Sequence, residues 1–298
     1  MSSFFKRRTK GEIVFTFICY LLITLLAIST LLPFLHVISK AVSSEGAVIT
    51  GSILFWPIDF QTGTLHYVLD TPEFLNGLKV SVFVTIFGTI LAMLLTVTVA
   101  YPLSKPQMVG RKFFVLMFVF VMLFSGGMIP NYMLYKSLGL LNTLWALMFP
   151  GMMSVFNMLL VKTFYEQLPE SIEESARIDG ASNMTLLFRI VIPMSMPVIA
   201  TVSLYYAVGY WNSYFSGVLY ITKTNLRPLQ QYLFELVTAT MKAFDPGTVE
   251  VDMDKYMNIL GDSVRSATIV LSTVPILCVY PFLQKHFVKG VQVGSVKG

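Results

Sequence analysis

An all-α integral membrane protein with six transmembrane helices is the fold class this sequence predicts, and three observations carry that expectation. Of its 298 residues, 55% are hydrophobic and only 12% charged, against about a quarter charged in an ordinary globular chain. Mean hydropathy is +0.71. Charge-free apolar runs cover residues 13–39, 80–104, 113–135, 137–161, 190–222 and 266–284. Each approaches or exceeds the roughly 20 residues that a helix needs to cross about 30 Å of hydrocarbon.

The first run follows Lys6, Arg7, Arg8 and Lys10, as a secretion signal would. It is much longer than the h-region of about 7 to 15 residues that signals carry, so a retained anchor is expected. Residues 40–79 form an outer segment with turn residues around Phe55, Trp56, Pro57, Ile58 and Asp59. Trp56 suits a membrane interface, and an amphipathic stretch from His66 through Phe74 is expected along the surface. Residues 105–112 make a short basic inner turn, and a tight link surrounds Lys136 and Gly139. Short links make neighbouring helices antiparallel.

Residues 223–265 form the largest outer segment and carry Asp245, Glu250, Asp252 and Asp254. These carboxylates lack the spacing of a calcium loop and read as a solvated or docking surface. Cys19 and Cys278 fall inside apolar runs, which points to packing rather than a disulfide or a metal site.

Basic residues near span ends stay on the cytoplasmic side. With the N-terminus inside, thirteen of the 21 Lys and Arg residues lie in inner segments. That orientation puts both termini and the 162–189 connection in the cytoplasm. The net charge of +5 is therefore an inner-face property; no interleaving of basic and aromatic residues suggests nucleic acid.

No nucleotide-binding, nucleophile-elbow or zinc-protease motif is present, and His36, His66 and His286 are scattered. The apolar runs contain no Asp, Glu, Lys or Arg. Ion-coupled carriers usually keep such residues in their spans, so if the chain moves a solute uphill the energy would come from a partner.

The 162–189 connection reads as two short helices around a glycine. Ser171 and Glu174 have capping-box spacing, Gly180 sits where a left-handed residue would end the helix, and Ser182 and Asn183 can start the next one. Glu174-Ser175-Ala176-Arg177-Ile178-Asp179-Gly180, nine further residues and Ile190-Val191-Ile192-Pro193 together resemble the EAA loop of ABC importer permeases, E-A-A-x-x-x-G, nine residues, then I-x-L-P. Ser175 replaces the first Ala and Ile192 the Leu.

The resemblance implies a type I ABC importer permease fold with a cytoplasmic coupling helix. Its domains would be an N-terminus at 1–12, a six-span permease at 13–285 with the coupling loop at 164–193, and a cytoplasmic tail at 286–298. Glu174 becomes the charged contact to an ATPase, Ala176 the small residue for close approach and Gly180 the turn. Ile190 and Pro193 lead back into the membrane, and Ser175 and Asp179 belong to the same coupling set. The tail resembles those that enter the interface between two ATPase subunits.

Six spans, Tyr210-Trp211-Asn212 in span five and a Lys-Gly ending make the chain similar to the carbohydrate branch of this family. That branch implies a second six-span permease subunit, usually a different chain, two ATPase subunits holding ATP and magnesium, and an extracytoplasmic solute-binding protein. It also implies a bacterial cytoplasmic membrane, an oligosaccharide cargo and no cofactor in this chain. Sugars present apolar ring faces and many hydroxyls, so Asn157, Tyr210, Trp211 and Asn212 are the candidates for a translocation path. A permease for a non-sugar solute, a gradient-driven carrier and a scaffold are the alternatives; the last two leave the Glu174 to Pro193 pattern unexplained.

Overall fold

A computed structural model describes residues 10–243 and 261–295, with side chains for 11–238 and 261–278. The carboxylates Asp245, Glu250, Asp252 and Asp254, the basic Lys6, Arg7 and Arg8, and the last three residues of the expected tail lie outside the described residues. No strand occurs among the described residues. The chain divides into two compact units, residues 1–70 with 239–271, and residues 71–238 with 272–298.

In the first unit, α1 (Lys10–Ala41) is an apolar helix whose residues from Gly11 are long enough to span a bilayer. Two short helices follow, α2 (Glu45–Ile49) and α3 (Gly63–Asp70). The loop between them folds back on the end of α1, where polar side chains collect its backbone groups. Ser39 Oγ donates to the Phe55 carbonyl at 2.7 Å, and His36 Nδ1 lies 2.6 Å from the Leu54 carbonyl. The Ile58 amide donates to Ser43 Oγ at 3.0 Å. Lys40 and Arg265 both pair with Asp262, at 3.6 and 3.1 Å.

In the second unit, α4 (Pro72–Ser104) is the central element, packed along α12 (Met196–Trp211) and α8 (Val155–Tyr165). Hydropathy starts this span at residue 80, but the helix begins at Pro72, whose missing amide is harmless at a first helical position. The amphipathic stretch expected through Phe74 therefore stops at Asp70, and Phe74 is a buried residue of α4. Small residues on one face of α4, Gly77, Ser81, Gly88 and Ala92, are buried; they let backbones approach closely. At Gly88 an added Cβ would lie 2.9 Å from the Tyr210 ring, and at Gly151 3.1 Å from the ring's other edge.

Three apolar runs are broken in space. α5 (Arg111–Leu123) and α6 (Met128–Ser137) meet at 108°, at a Ser-Gly-Gly stretch in which Gly127 has φ of 87°. α7 (Leu144–Met148) continues as a 3₁₀ turn, Phe149–Gly151, and bends 51° into α8. After α9 (Glu170–Ile178) and α10 (Asn183–Leu186), a π-helical turn, Leu187–Val191, and α11 (Ile192–Met194) bend 87° into α12. Pro150, Pro193 and Pro197 lie at or beside these breaks; proline removes an amide and crowds the preceding turn. Hydropathy registers none of this, because the runs are apolar throughout.

Among the described residues, two single helices and three bent pairs are thus long and apolar enough to cross a membrane, and the 266–284 run lies within α15 (Asp262–Ser295). α13 (Tyr214–Tyr220) and α14 (Leu229–Ala243) close the second unit. Asn142 Oδ1 accepts from the Thr222 and Lys223 amides at 2.7 and 3.0 Å, joining two links.

Replacing Gly88 by Ala forces the Tyr210 ring to move, an overpacking change of the kind that costs about 1–3 kcal/mol. The detergent-purified protein should melt several degrees lower on that account, whereas Gly46→Ala, with nothing within 4 Å of its new Cβ, should leave the midpoint in place.

Candidate functional site

The segment between α8 and α12 is built from local signals. Pro169, in extended conformation, precedes α9 without a side-chain cap. Ser171 is already inside the helix, where its carbonyl accepts from Ser175 Oγ at 2.8 Å, so the expected capping box does not form. A proline immediately before Glu170 starts the helix two residues earlier than that box requires.

The other end follows expectation. Gly180 has φ of 84°; its amide donates to the Arg177 carbonyl at 3.0 Å and that of Ala181 to Ala176 at 2.9 Å. This is the Schellman pattern, which satisfies the last carbonyls of a helix. Ser182 then caps α10 by accepting from the Thr185 amide at 3.3 Å.

Glu174, Ser175, Asp179 and Gly180 are exposed, and Ala176 and Ile190 are partly buried against the main hydrophobic core. Pro193 is exposed on α11. Ile178, which the sequence reading passes over, is 86% exposed beside Asp179, a bare apolar side chain on a polar face.

Glu173 was also missed. It is buried, forms an ion pair with Lys105 at the end of α4 and accepts a hydrogen bond from Tyr101 at 3.4 Å. Glu166 pairs with Arg111 and, at 2.8 Å, with Lys162, while Arg111 Nε donates to the Leu103 carbonyl at 2.8 Å. Between these groups lies an open cleft of about 900 Å³ whose lining includes Glu174 and Arg177.

A second cavity, about 370 Å³, lies where the α7–α8 bend faces α12. Tyr206 Oη accepts from the Ser154 amide at 3.0 Å and lies 2.7 Å from Thr96 Oγ1. Tyr210 Oη donates to the Met148 carbonyl at 2.8 Å. Asn157, Tyr205, Ser213 and Ser216 also line this cavity, and no lining residue is charged. Of the path candidates, Asn157 and Tyr210 meet here. Trp211 is buried and Asn212 exposed, and neither lines the cavity. Helical period explains part of this: residues 205, 206, 209 and 210 share one face of α12, whereas Ser213 and Ser216 reach the cavity only because the chain breaks after Trp211 and restarts as α13.

Among the described residues no group of three or more His, Cys, Asp or Glu could hold a metal ion.

Residues 77–293 match the family described as binding-protein-dependent transport system inner membrane component. The chain belongs to this family. The permease is 44% identical to Protein LplC of Bacillus subtilis (strain 168) over 270 residues, 90% of each chain. It is 39% identical over 292 residues to the polygalacturonan/rhamnogalacturonan transport system permease protein YtcP of the same organism, covering 96% of this chain and 99% of that one. Among solved structures, it matches a chain from a bacterial ABC transporter involved in the import of the acidic polysaccharide alginate. The TM-score is 0.86 at 29% identity, covering 95% of this chain and 99% of the other.

The permease is thus a transmembrane subunit of an ABC transport system and itself non-enzymatic. Its exposed α9 face and its uncharged smaller cavity lie in one unit.

The α9 turn offers a clean test, because nothing lies within 4 Å of a Cβ at Gly180 and any penalty there is conformational. Left-handed backbone costs an ordinary residue roughly 1–2 kcal/mol, and Asn tolerates it best. Gly180→Val should therefore impair transport with the protein still inserted, while Gly180→Asn stays near wild type in the same uptake assay.

Proposed function

We propose that this permease pairs with a second six-span permease chain and two ATPase subunits. The complex imports an oligosaccharide delivered by an extracytoplasmic binding protein, by alternating access. The single observation that carries the reading is the α9–Gly180–α10 unit, which presents Glu174, Ile178 and Asp179 outward in a chain of the binding-protein-dependent family. In this reading α9 is the cytoplasmic coupling helix, ATP and magnesium sit on the ATPase subunits, and closure of those subunits moves α9. Six spans, with both termini in the cytoplasm, are supported by the distribution of basic residues and by the apolar runs. The permease domain would run over 13–285, flanked by the 1–12 and 286–298 ends.

An oligosaccharide cargo is supported by the YtcP relative, whose name concerns polygalacturonan and rhamnogalacturonan, and by the alginate importer. The smaller cavity fits such a cargo. Tyrosine rings suit the apolar faces of sugar rings, while Asn157, Ser213 and Ser216 supply neutral hydrogen-bonding groups. Polar side chains within spans tend to face such interior cavities.

Two measurements test this reading. Copurification should recover a second permease, an ATPase and a binding protein, and a ligand screen on that binding protein, with acidic and neutral oligosaccharides, should name the cargo. Glu174→Lys reverses a charge on the exposed α9 face. Uptake should fall about tenfold or more, the equivalent of some 1.4 kcal/mol of lost coupling, with membrane insertion unchanged; normal uptake would count against α9 as the coupling helix.

Within the cavity, Asn157→Ala should slow oligosaccharide uptake at unchanged expression, and Asn212→Ala, which lies outside it, should have little effect. Equal losses in both variants would move the path elsewhere.

A further inference from the structure

We propose that the ion pair of Glu173 with Lys105, supported by Tyr101, is the strap through which movement of α9 reaches α4. This inference rests on the importer reading above. Glu173 lies on α9 one residue before the exposed Glu174, yet its side chain is only 12% exposed and Lys105's is 23%. Tyr101 and Lys105 are one helical turn apart at the end of α4, so both present to the same carboxylate. Tyr101 donates to Glu173 Oε2 at 3.4 Å, and the Lys105 ammonium lies 4.9 Å from the centre of the Tyr101 ring. A cation over an aromatic face is held in place as well as attracted.

The location argues for transmission. α9's exposed face carries Glu174, Ile178 and Asp179, whereas Ala176 and Glu173 turn toward the rest of the unit. Apolar contacts at Ala176 can slide, but a largely buried carboxylate leaves its ammonium only at a cost in free energy. α4 packs along α12 and α8, and Thr96 of α4 bonds Tyr206 beside the cavity. Motion taken up at Lys105 therefore enters the helix that borders both walls of the cavity. A second cluster, Lys162, Glu166 and Arg111, ties the end of α8 to the same end of α4 through the Leu103 carbonyl. Glu173 and Lys105 are positioning residues: they touch neither nucleotide nor cargo.

The test uses the complete importer in nanodiscs, with Cys19 and Cys278 replaced by Ser and a reporter cysteine from Ser216→Cys in the cavity. The rate of maleimide labelling is compared without nucleotide and after trapping with ATP, magnesium and vanadate. With the strap intact the rate should change on trapping. Glu173→Gln and Lys105→Met should lose that change while the ATPase subunits still copurify, and the charge exchange Glu173→Lys with Lys105→Glu should restore it.

A single variant that responds like the parent overturns the strap, as does a charge exchange that restores nothing. A parent complex whose labelling ignores nucleotide would overturn the importer reading itself, a result distinct from failure of the strap alone.

Discussion

Two tyrosine hydroxyls hold the bend between α7 and α8 against α12. Where α7 and its 3₁₀ turn bend into α8, the helical ladder is interrupted and backbone groups are released. The Met148 carbonyl and the Ser154 amide are among them, and they are taken up by Tyr210 and Tyr206 of α12. In hydrocarbon an unsatisfied backbone group costs several kcal/mol, so a bent helix at this depth requires partners. The partners in turn require room. Gly88 of α4 and Gly151 of the 3₁₀ turn lie against opposite edges of the Tyr210 ring, and Thr96 receives Tyr206. One set of contacts thus joins α4, α7, α8 and α12, and the small cavity is the space left beside them.

The same logic bears on why this cavity offers hydrogen-bonding groups without charge. Ser154, Asn157, Ser213 and Ser216 lie at or near helix interruptions, and the tyrosine hydroxyls reach the cavity from α12. Charged side chains gather instead at the end of α4, where Lys105, Arg111, Lys162, Glu166 and Glu173 form two clusters. Lys105 stands at the C-terminus of α4, where the helix dipole favours a cation. The second unit therefore keeps an uncharged cavity apart from the ionic groups at the end of α4, and α9 is fastened to those groups. Ion pairs suit this place because each carboxylate there has a cation within reach and partial access to water.

Much of the loop around α9 was legible because its signals are local. Gly180 needs a positive φ, Ser182 needs an amide three residues on, and both were found where the sequence put them. The capping box at Ser171 failed for an equally local reason, the proline at 169. Glu173 was not legible: adjacent carboxylates at 173 and 174 look alike in sequence, and only the position of α4 decides which is buried. Of the residues expected on a translocation path, Asn157 and Tyr210 line the cavity, while Trp211 and Asn212 do not.

By itself the sequence determined the membrane class, the apolar runs, the family pattern from Glu174 to Pro193 and the glycine turn within it. These depend on composition or on residues a few positions apart, and chain-local chemistry decides them. Tertiary structure alone decided how far three of the apolar runs bend, and that Glu173 meets Lys105 across 68 positions of chain. Hydropathy measures transfer of side chains from water and is blind to direction. A bend or a buried ion pair exists only when a distant segment supplies the hydrogen bond or the charge that makes it tolerable.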